Sequence, residues 1–352
     1  MSVNGRKGPA GRSAATLPTT VTMSHGSGGK ASHVLVGSVF VDLFSNPVLD
    51  ELDDAAVIEV AGRPLAFTTD SFVVSPIFFP GGCLGDLAVN GTVNDLAACG
   101  AQPLALSAGF VIEEGFPVAD LRRVAQAMAS AAQVAGTRIV TGDTKVVQRG
   151  RGDGCYVNTS GVGLVSPRAT GLSAKAAQPG DRVIVSGPIG DHGTAVLLAR
   201  GELGISADIV SDTAPLNGLV ASLLGAVGPA VHVLRDATRG GVATVLNEVA
   251  LASKVAVVLE ETAMPVRPEV HGVCEMLGLD PLYVACEGRM VVVVAGERAG
   301  EALRAVRSHP AGRESALVGS VIEGPGVVME KTEFGGSRVI DMLVGDPLPR
   351  IC

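Results

Sequence analysis

Tryptophan is missing from this 352-residue chain, and tyrosine occurs only twice. Hydrophobic residues nevertheless make up 47% of the sequence, so alanine, valine and leucine must fill its interior. The chain has no apolar run of the roughly 20 residues that a membrane-spanning helix needs, and no secretory signal near its start. Its length exceeds what one ordinary core supports and is typical of two domains.

The charge and the cysteines exclude further classes of protein. The formal net charge is −8 and no basic stripe appears. This argues against a general nucleic-acid binder but allows a nucleotide carried with a divalent cation. The six cysteines include no CxxC pair, so neither a zinc ribbon nor a thioredoxin-type site is indicated. We expect reduced thiols and a cytoplasmic protein that binds neither nucleic acid nor membrane.

The first half of the chain has the pattern of an α+β unit. Residues 52–74 predict two strands around the turn AGRP, and the apolar and alanine positions over 83–99 predict a helix. A strand follows, then a helix between Pro117 and Gly136, then two more strands. The predicted order is ββαβαββ, ending near Val165.

The second half predicts an α/β domain. The segment AAQPGD around 176–181 is a plausible joint, and the apolar stretch 283–296 is predicted to be a strand. Helices are predicted over 215–226, 240–252, 267–277 and 298–307. The predicted division of the chain is a disordered extension over 1–22, domains over 23–170 and 171–330, and a C-terminal segment over 331–352.

Several aspartates lie in otherwise apolar segments of the first domain. Burying such carboxylates is costly unless they are paired or bound to a cation. Carboxylate oxygens suit Mg²⁺, which keeps waters and bridges to phosphates. Each aspartate alone is explained as a helix or turn cap, but the group favours a metal–phosphate site. Its members are Asp53, Asp54, Asp70, Asp95 and Asp143.

Two glycine-rich segments differ in how well they match a phosphate-binding loop. SHGSGGK at 24–30 lacks the P-loop spacing and follows no predicted strand, so a Walker-type ATPase is not indicated. RDATRGGVA at 235–243 places Asp236, Gly240 and Gly241 directly before a predicted helix. Its N-terminus could therefore face a phosphate group.

Two further residues are candidates for proton transfer and charge stabilisation. Glu287 lies in one of the most apolar runs of the chain, where a glutamate needs a partner or has a raised pKa. Such a group suits proton transfer. Lys145 follows Asp143 in TGDTKVV, and the alternative for it is a salt-bridged lysine at a sheet edge.

The chain ends in GDPLPRIC, so a thiol stands at the C-terminus. A terminal cysteine can enter a pocket end-on, and eight extended residues reach at most roughly 25 Å. The alternative is a chance cysteine on a frayed end.

These motifs together resemble a known family. ELDDAAV, FTTDSFVVSPIFFPGG, AVNGTVNDLAACGAQP, FVIEEG, IVTGDTKVV, RDATRGGVAT, CEGR and the terminal PRIC occur in the order typical of HypE, a family of hydrogenase maturation factors. The similarity runs from about His25 to Cys352. DDAA, TTD, ND and GDT indicate only the wider aminoimidazole-ribonucleotide-synthetase (PurM-like) superfamily, whereas FFPGG, GDTKVVQRG and PRIC indicate HypE.

The resemblance implies a two-domain PurM-like fold whose N-terminal domain pairs across a homodimer into a β-barrel. ATP with Mg²⁺ would bind between the domains. Metal-binding positions would be Asp54, Asp70, Asp95, Asp143 and Asp236, and the nucleotide positions would add Asp53, Thr144, Gly240 and Gly241. Cys352 would carry the reacting group, with Lys145 and Glu287 in the dehydration step.

The implied reaction is ATP-dependent dehydration of an S-carbamoyl group on Cys352 to a thiocyanate. The carbamoyl group would come from HypF, and cyanide would pass to iron on a HypC–HypD complex for nickel–iron hydrogenase. The tail is expected to exchange between two positions with nucleotide state. The alternatives are another ATP-using PurM-like enzyme, such as a selenophosphate synthetase or thiamine-phosphate kinase, and a non-catalytic thiol carrier.

Overall fold

The computed structural model describes residues 19–345, 348 and 350–352, so most of the predicted extension over 1–22 lies outside the described residues. Before the first sheet the chain forms α1 (Lys30–Leu35), a π-helical turn (Val36–Val41) and α2 (Asp42–Phe44). Single-turn 3₁₀ helices occur at Met23–Gly26, Leu49–Glu51, Gly228–Ala230, Glu261–Ala263, Pro281–Tyr283, Gly296–Arg298 and Pro310–Gly312.

The first domain has the predicted ββαβαββ order, with one short hairpin inserted. Its elements are β1 (Ala56–Val60), β2 (Arg63–Phe72), β3 (Phe78–Phe79), β4 (Gly82–Cys83), α3 (Leu84–Ala98), β5 (Ala101–Glu113), α4 (Val118–Ala135), β6 (Ile139–Val147) and β7 (Cys155–Val165). The sheet order is β1-β2-β7-β5-β6, and only β5 and β6 pair in parallel.

Helix α3 begins and ends where its sequence provides caps. The Asp86 carboxylate accepts a hydrogen bond from the Cys83 amide at 2.9 Å, which satisfies one of the free donors at the helix start. Gly100 follows the helix with a φ of +68°, a left-handed conformation that favours glycine. The helix packs on the sheet, so it carries Asp95 over the strands.

The second domain is a mixed seven-stranded sheet with helices on both faces. Its elements are β8 (Arg182–Val185), α5 (Asp191–Ala199), α6 (Asn217–Val227), β9 (Val231–Asp236), α7 (Gly241–Ser253), β10 (Val255–Glu260), α8 (Pro268–Leu277), β11 (Met290–Val294), α9 (Ala299–Ser308), β12 (Ala316–Glu323), β13 (Val327–Lys331) and β14 (Ser337–Ile340). The order is β14-β13-β10-β12-β8-β11-β9.

Strand β11 shows why one part of the chain is so apolar. Val291 and Val293 point into the core beside α7, whereas Val292 and Val294 point into the core beside α6 and α9. Successive residues of a strand face opposite sides, so a strand covered on both faces must be apolar throughout. The predicted strand over 283–296 was too long, because only Met290–Val294 is strand and Glu287 lies in the preceding loop.

One face of the first sheet is covered by helices, and the opposite face is open. On the open face Phe67, Val162 and Ala105 are paired across neighbouring strands, and Phe67 is 45% exposed. Strand β6 is exposed along nearly its whole length. Within the described residues no helix is both long and apolar enough to cross a membrane.

Candidate active site between the two domains

A cavity of about 230 Å³ is lined by residues of both domains and by the end of the chain. The structure brings six of the sequence-predicted residues to its wall: Asp54, Asp70, Asp95, Asp236, Glu287 and Cys352. These residues come from six separate segments, so the cavity exists only in the folded chain.

The secondary-structure elements explain how three of the acids meet. Asp70 lies on the helix-covered face of β2, since its neighbour across the ladder, Thr159, is buried. Asp95 lies on α3, and the Thr68 hydroxyl donates to its Oδ2 at 2.8 Å. Asp236 is the last residue of β9 and is buried. The strand end and the helix therefore face each other across the cavity.

Arginine side chains that the sequence reasoning missed balance part of this negative charge. Arg235 lies 3.0 Å from Asp54 and 2.8 Å from Glu248, and Arg239 also lines the cavity. Both arginines lie close to Asp236 in the motif RDATRGG, whose aspartate and two glycines were the predicted site residues. A buried cluster of acids needs cations nearby, and this requirement is the signal that could have identified Arg235 and Arg239 from the sequence.

Burial dominates the electrostatics of the acids. Desolvation, followed by repulsion from Asp236, Asp70 and Asp54, raises the pKa of Asp95 well above its usual range. Burial also raises the pKa of Asp236 to about 6, even though Arg235 opposes the shift. The raised pKa values favour the protonated form of these groups, whereas a bound cation would favour the ionised form.

Hydrogen bonds to the backbone of Glu287, and not to its carboxyl group, hold this residue in place. Its amide donates to Oδ1 of Asp212 at 2.9 Å, and Nδ2 of Asn94 donates to its carbonyl oxygen at 3.3 Å. The side chain is 2% exposed, and its Oε1 has no hydrogen-bond partner among the described residues. Burial, then Asp236 and Asp70, raises the pKa of Glu287 well above its usual range. A polar atom of this kind has the capacity to bind a ligand or a proton.

The end of the chain is seated in this site. The amides of Val73 and Ser75 donate to main-chain oxygens of Cys352 and Arg350 at 3.0 and 3.1 Å. Burial raises the pKa of the Cys352 thiol, and Glu287 is the next largest cause. The sulfur is therefore kept as a thiol beside the predicted base.

Other predicted residues lie elsewhere. Asp143 and Lys145 form an ion pair at 2.6 Å on β6, where both side chains are 68% exposed. Asp143 pairs with Gly109 on the open face of the first sheet, whereas Asp70 lies on the covered face. Within one chain these two aspartates are therefore on opposite sides of the sheet. Thr144 is exposed on the same strand.

The remaining predicted nucleotide positions also lie outside the acidic cavity. Oδ1 of Asp53 accepts a hydrogen bond from the Ala174 amide at 3.2 Å. Gly240 lines a neighbouring cavity of about 160 Å³ that Cys352 also borders. Gly241 begins α7, where a Cβ would overlap the carbonyl oxygen of Leu282. The glycines thus allow the helix start to pack closely on the adjoining loop.

The glycine-rich segment at 24–30 closes over the same region. Nη1 of Arg239 donates to the carbonyl oxygen of Gly26 at 2.9 Å, and Lys30 forms an ion pair with Asp341 at 2.6 Å. Gly28 lines the acidic cavity. This segment is therefore part of the site wall rather than a separate leader.

No three Asp, Glu, His or Cys side chains of the described residues lie close enough to hold a metal ion on their own. The four aspartates at one cavity still fit Mg²⁺, because this ion fills its remaining positions with water and phosphate oxygens. Their raised pKa values have the same cause, a concentration of buried carboxyl groups.

The fold and the site define a two-domain protein of the aminoimidazole-ribonucleotide-synthetase class. Residues 52–165 match "AIR synthase related protein, N-terminal domain", and residues 178–331 match "AIR synthase related protein, C-terminal domain". Thiamine monophosphate kinase from Aquifex aeolicus shares this fold, with a TM-score of 0.63 at 17% identity over 87% of this chain and 98% of that one.

Closer relatives define the family. The chain is 51% identical to carbamoyl dehydratase HypE of Azotobacter vinelandii, over 95% of this chain and 97% of that protein. It is 46% identical to carbamoyl dehydratase HypE of Escherichia coli K12, over 94% and 99% of the two. The chain therefore belongs to the carbamoyl dehydratase HypE family.

Solved structures agree with this assignment. A HypE structure in a HypE–HypF complex matches with a TM-score of 0.83 at 47% identity, covering 88% of this chain and 99% of that one. HypE in complex with ATP matches with a TM-score of 0.79 at 47% identity, covering 95% and 100% of the chains. The predicted family and two-domain fold are confirmed.

Proposed function

We propose that this chain converts an S-carbamoyl group on its own Cys352 into a thiocyanate, at the expense of ATP. The main support for the proposal is the position of Cys352, which lines the acidic cavity together with Glu287. Similarity to carbamoyl dehydratases and to a HypE–ATP structure supports both the reaction class and the nucleotide.

The reaction has to remove an oxygen atom that is a poor leaving group as hydroxide. The carbamoyl oxygen attacks the γ-phosphorus of ATP, ADP leaves, and the nitrogen gives up one proton. The second step breaks the C–O bond, releases phosphate and removes the other nitrogen proton, which leaves S–C≡N. Each step therefore needs a proton acceptor close to the nitrogen.

Glu287 is the proton acceptor in this proposal. Its buried position beside the seated tail puts a carboxyl group close to the group carried on Cys352. A raised pKa makes the ionised carboxylate a stronger base than an exposed glutamate. The Asp212 contact to its backbone keeps it in place while protons move.

Asp54, Asp70, Asp95 and Asp236 would hold Mg²⁺ together with the phosphates of ATP. When bound, this ion supplies positive charge that stabilises the developing charge on the transferred phosphoryl group. Arg239, which lines the same cavity, offers a further cation to phosphate oxygens.

A homodimer accounts for the position of Asp143 and Lys145. The open face of the first sheet exposes apolar side chains, including Phe67, and a second copy would cover them. Asp143 and Lys145 on this face cannot reach the cavity of their own chain from the opposite side of the sheet. We place them at the site of the paired chain, with Lys145 stabilising the oxygen or phosphate.

The carbamoyl donor in this proposal is HypF, and the acceptor of cyanide is a HypC–HypD complex that carries the iron. The HypE–HypF complex among the structural relatives supports the first partner. A thiocyanate on the last residue suits such delivery, because a chain terminus can enter a second protein end-on.

A substitution at Glu287 tests the proposal. We expect Glu287→Gln to lower single-turnover thiocyanate formation by about 10²- to 10⁴-fold, because the amide keeps the shape but cannot accept the proton. The measurement is mass spectrometry of the carbamoylated protein with ATP, following loss of one water from Cys352. The matched control is Glu269→Gln on α8, whose side chain is exposed and distant from the cavity lining. Full thiocyanate formation by Glu287→Gln would refute the assigned base.

A further inference from the structure

The seated tail is bound by both domains. Amides of the segment that follows β2 in the first domain donate to main-chain oxygens of Arg350 and Cys352. The carbonyl oxygen of Ile351, between them, lies 2.8 Å from Nε2 of His192, in the first turn of α5 of the second domain. The contact from the second domain therefore complements those from the first.

The environment of His192 fixes its protonation. The side chain has no exposed surface, and Nδ1 lies 2.8 Å from the Oγ of Ser211. A carbonyl oxygen can only accept, so Nε2 carries the proton and Nδ1 accepts from the Ser211 hydroxyl. The amide of Thr213 donates to the same Oγ at 3.1 Å, which leaves the hydroxyl proton free to point at the ring. Phe79 packs edge-on against the imidazole, with centroids 5.5 Å apart.

The surroundings of Ile351 shield its hydrogen bond with His192 from water. Its side chain is 4% exposed and packs in a core shared by both domains, together with Leu348. In the segment after β2, by comparison, Val73 is 37% exposed. A hydrogen bond away from water is stronger than one that water can replace. Its enclosure therefore strengthens the bond from His192, which acts alongside the hydrogen bond from Arg200 to the Arg350 carbonyl oxygen and the ion pair between Arg350 and Asp153.

We propose that His192 is a positioning residue that latches the tail through the Ile351 carbonyl group and so sets how often Cys352 leaves the cleft. The inference deepens the proposed function, since it concerns the residue that carries the carbamoyl group. It concerns the position of the tail and not the chemistry of dehydration.

The test measures access to the Cys352 thiol. His192→Phe keeps a ring against Phe79 but removes the donor, so we expect alkylation of Cys352 by iodoacetamide to become about tenfold faster. The rate is followed by mass spectrometry of the C-terminal peptide, in the full-length protein without nucleotide. His192→Gln, whose amide can donate to the same carbonyl, is expected to restore part of the protection.

Control variants distinguish a specific effect of His192 on the tail from a general loosening of the structure. His271→Phe on α8 replaces an exposed histidine and is expected to leave the alkylation rate unchanged. Ser211→Ala leaves the ring in place but removes the hydroxyl that selects its tautomer, so a two- to threefold faster reaction is expected, as for the loss of roughly half a hydrogen bond. This variant decides the question if His192→Phe does not fold.

Alkylation at the wild-type rate in folded His192→Phe, or in Ser211→Ala, overturns the latch even if the protein is an active dehydratase. Failure of the wild-type protein to form thiocyanate would instead overturn the proposed function, and the alkylation rates would still report on the tail.

Discussion

Buried carboxyl groups determine the chemistry of the site at the scale of single residues. Asp54, Asp95, Asp236 and Glu287 share one cavity, and burial raises the pKa of each. A native protein tolerates such a cluster only with protons or cations to balance it. A metal ion bound with the nucleotide would therefore replace protons at this site rather than simply add to them.

This balance predicts a pH dependence of stability above pH 6.5. The unfolded chain releases these protons near pH 4, whereas the raised pKa values of the folded chain delay their release to higher pH. The folded state therefore binds more protons, and the free energy of unfolding falls as pH rises. Burial and the neighbouring acids raise the pKa of Asp54 to about 8, against the pull of Arg235, so loss of its proton falls within this window.

We expect the Tm of the nucleotide-free protein to fall between pH 6.5 and 8.5, and Mg²⁺ with ATP to raise Tm more at pH 8.5 than at pH 6.5. Below pH 6.5 the buried His192 acts oppositely, because burial lowers its pKa to about 4. Asp95→Asn should flatten the dependence, whereas Asp42→Asn, at an exposed position, should not. Differential scanning calorimetry gives the values, and a Tm that stays level would contradict the raised pKa values.

At the scale of elements, the site depends on a close approach between two loops. The loop that carries Glu287 passes directly over the loop that carries Asp212. A Cβ at Gly288 would overlap the carbonyl oxygen of Asp212. The backbone of one loop occupies the space a side chain would need, so the position requires glycine.

We expect Gly288→Ala to destabilise the protein by about 1–3 kcal/mol and to reduce thiocyanate formation at least tenfold, because the loops must separate and Glu287 moves with them. Urea unfolding and the single-turnover assay measure the two effects. The control is Gly272→Ala within α8, where a Cβ meets nothing within 4 Å and an exposed helix should gain about 0.5–1 kcal/mol. Equal effects of the two substitutions would remove the argument for close approach.

At the scale of the whole molecule, the two sides of the first sheet divide the proposed catalytic residues. The cavity with Glu287 lies on the covered side, and Lys145 lies on the open side. A dimer formed through the open faces would give each cavity a lysine from the other chain. The homodimer would then be required for a complete active site.

Subunit complementation tests this arrangement. Lys145→Ala and Glu287→Gln are each expected to be inactive as homodimers. A purified mixed dimer of the two would contain one complete site out of two and regain about half of the wild-type rate. Light scattering establishes the oligomeric state. A mixed dimer without activity would place Lys145 and Glu287 in the same chain, and a monomeric wild-type protein would exclude the homodimer.

Local sequence was sufficient for the elements that carry the site. The caps around α3 and the order ββαβαββ follow from short-range signals, since a helix start or a turn depends on a few neighbouring residues. The start of the predicted strand over 283–296 did not follow, because an apolar sequence does not by itself distinguish a strand from a buried loop.

The sequence by itself determined the family, the two domains, and the acids and terminal cysteine as candidates, because these are properties of residue type and order. Only the tertiary structure decided which candidates meet. It separated Asp143 and Lys145 from Asp70 across a sheet, and it joined His192 to a carbonyl group 159 residues away. Contacts of this kind depend on how distant segments pack, and no local pattern of residues encodes them.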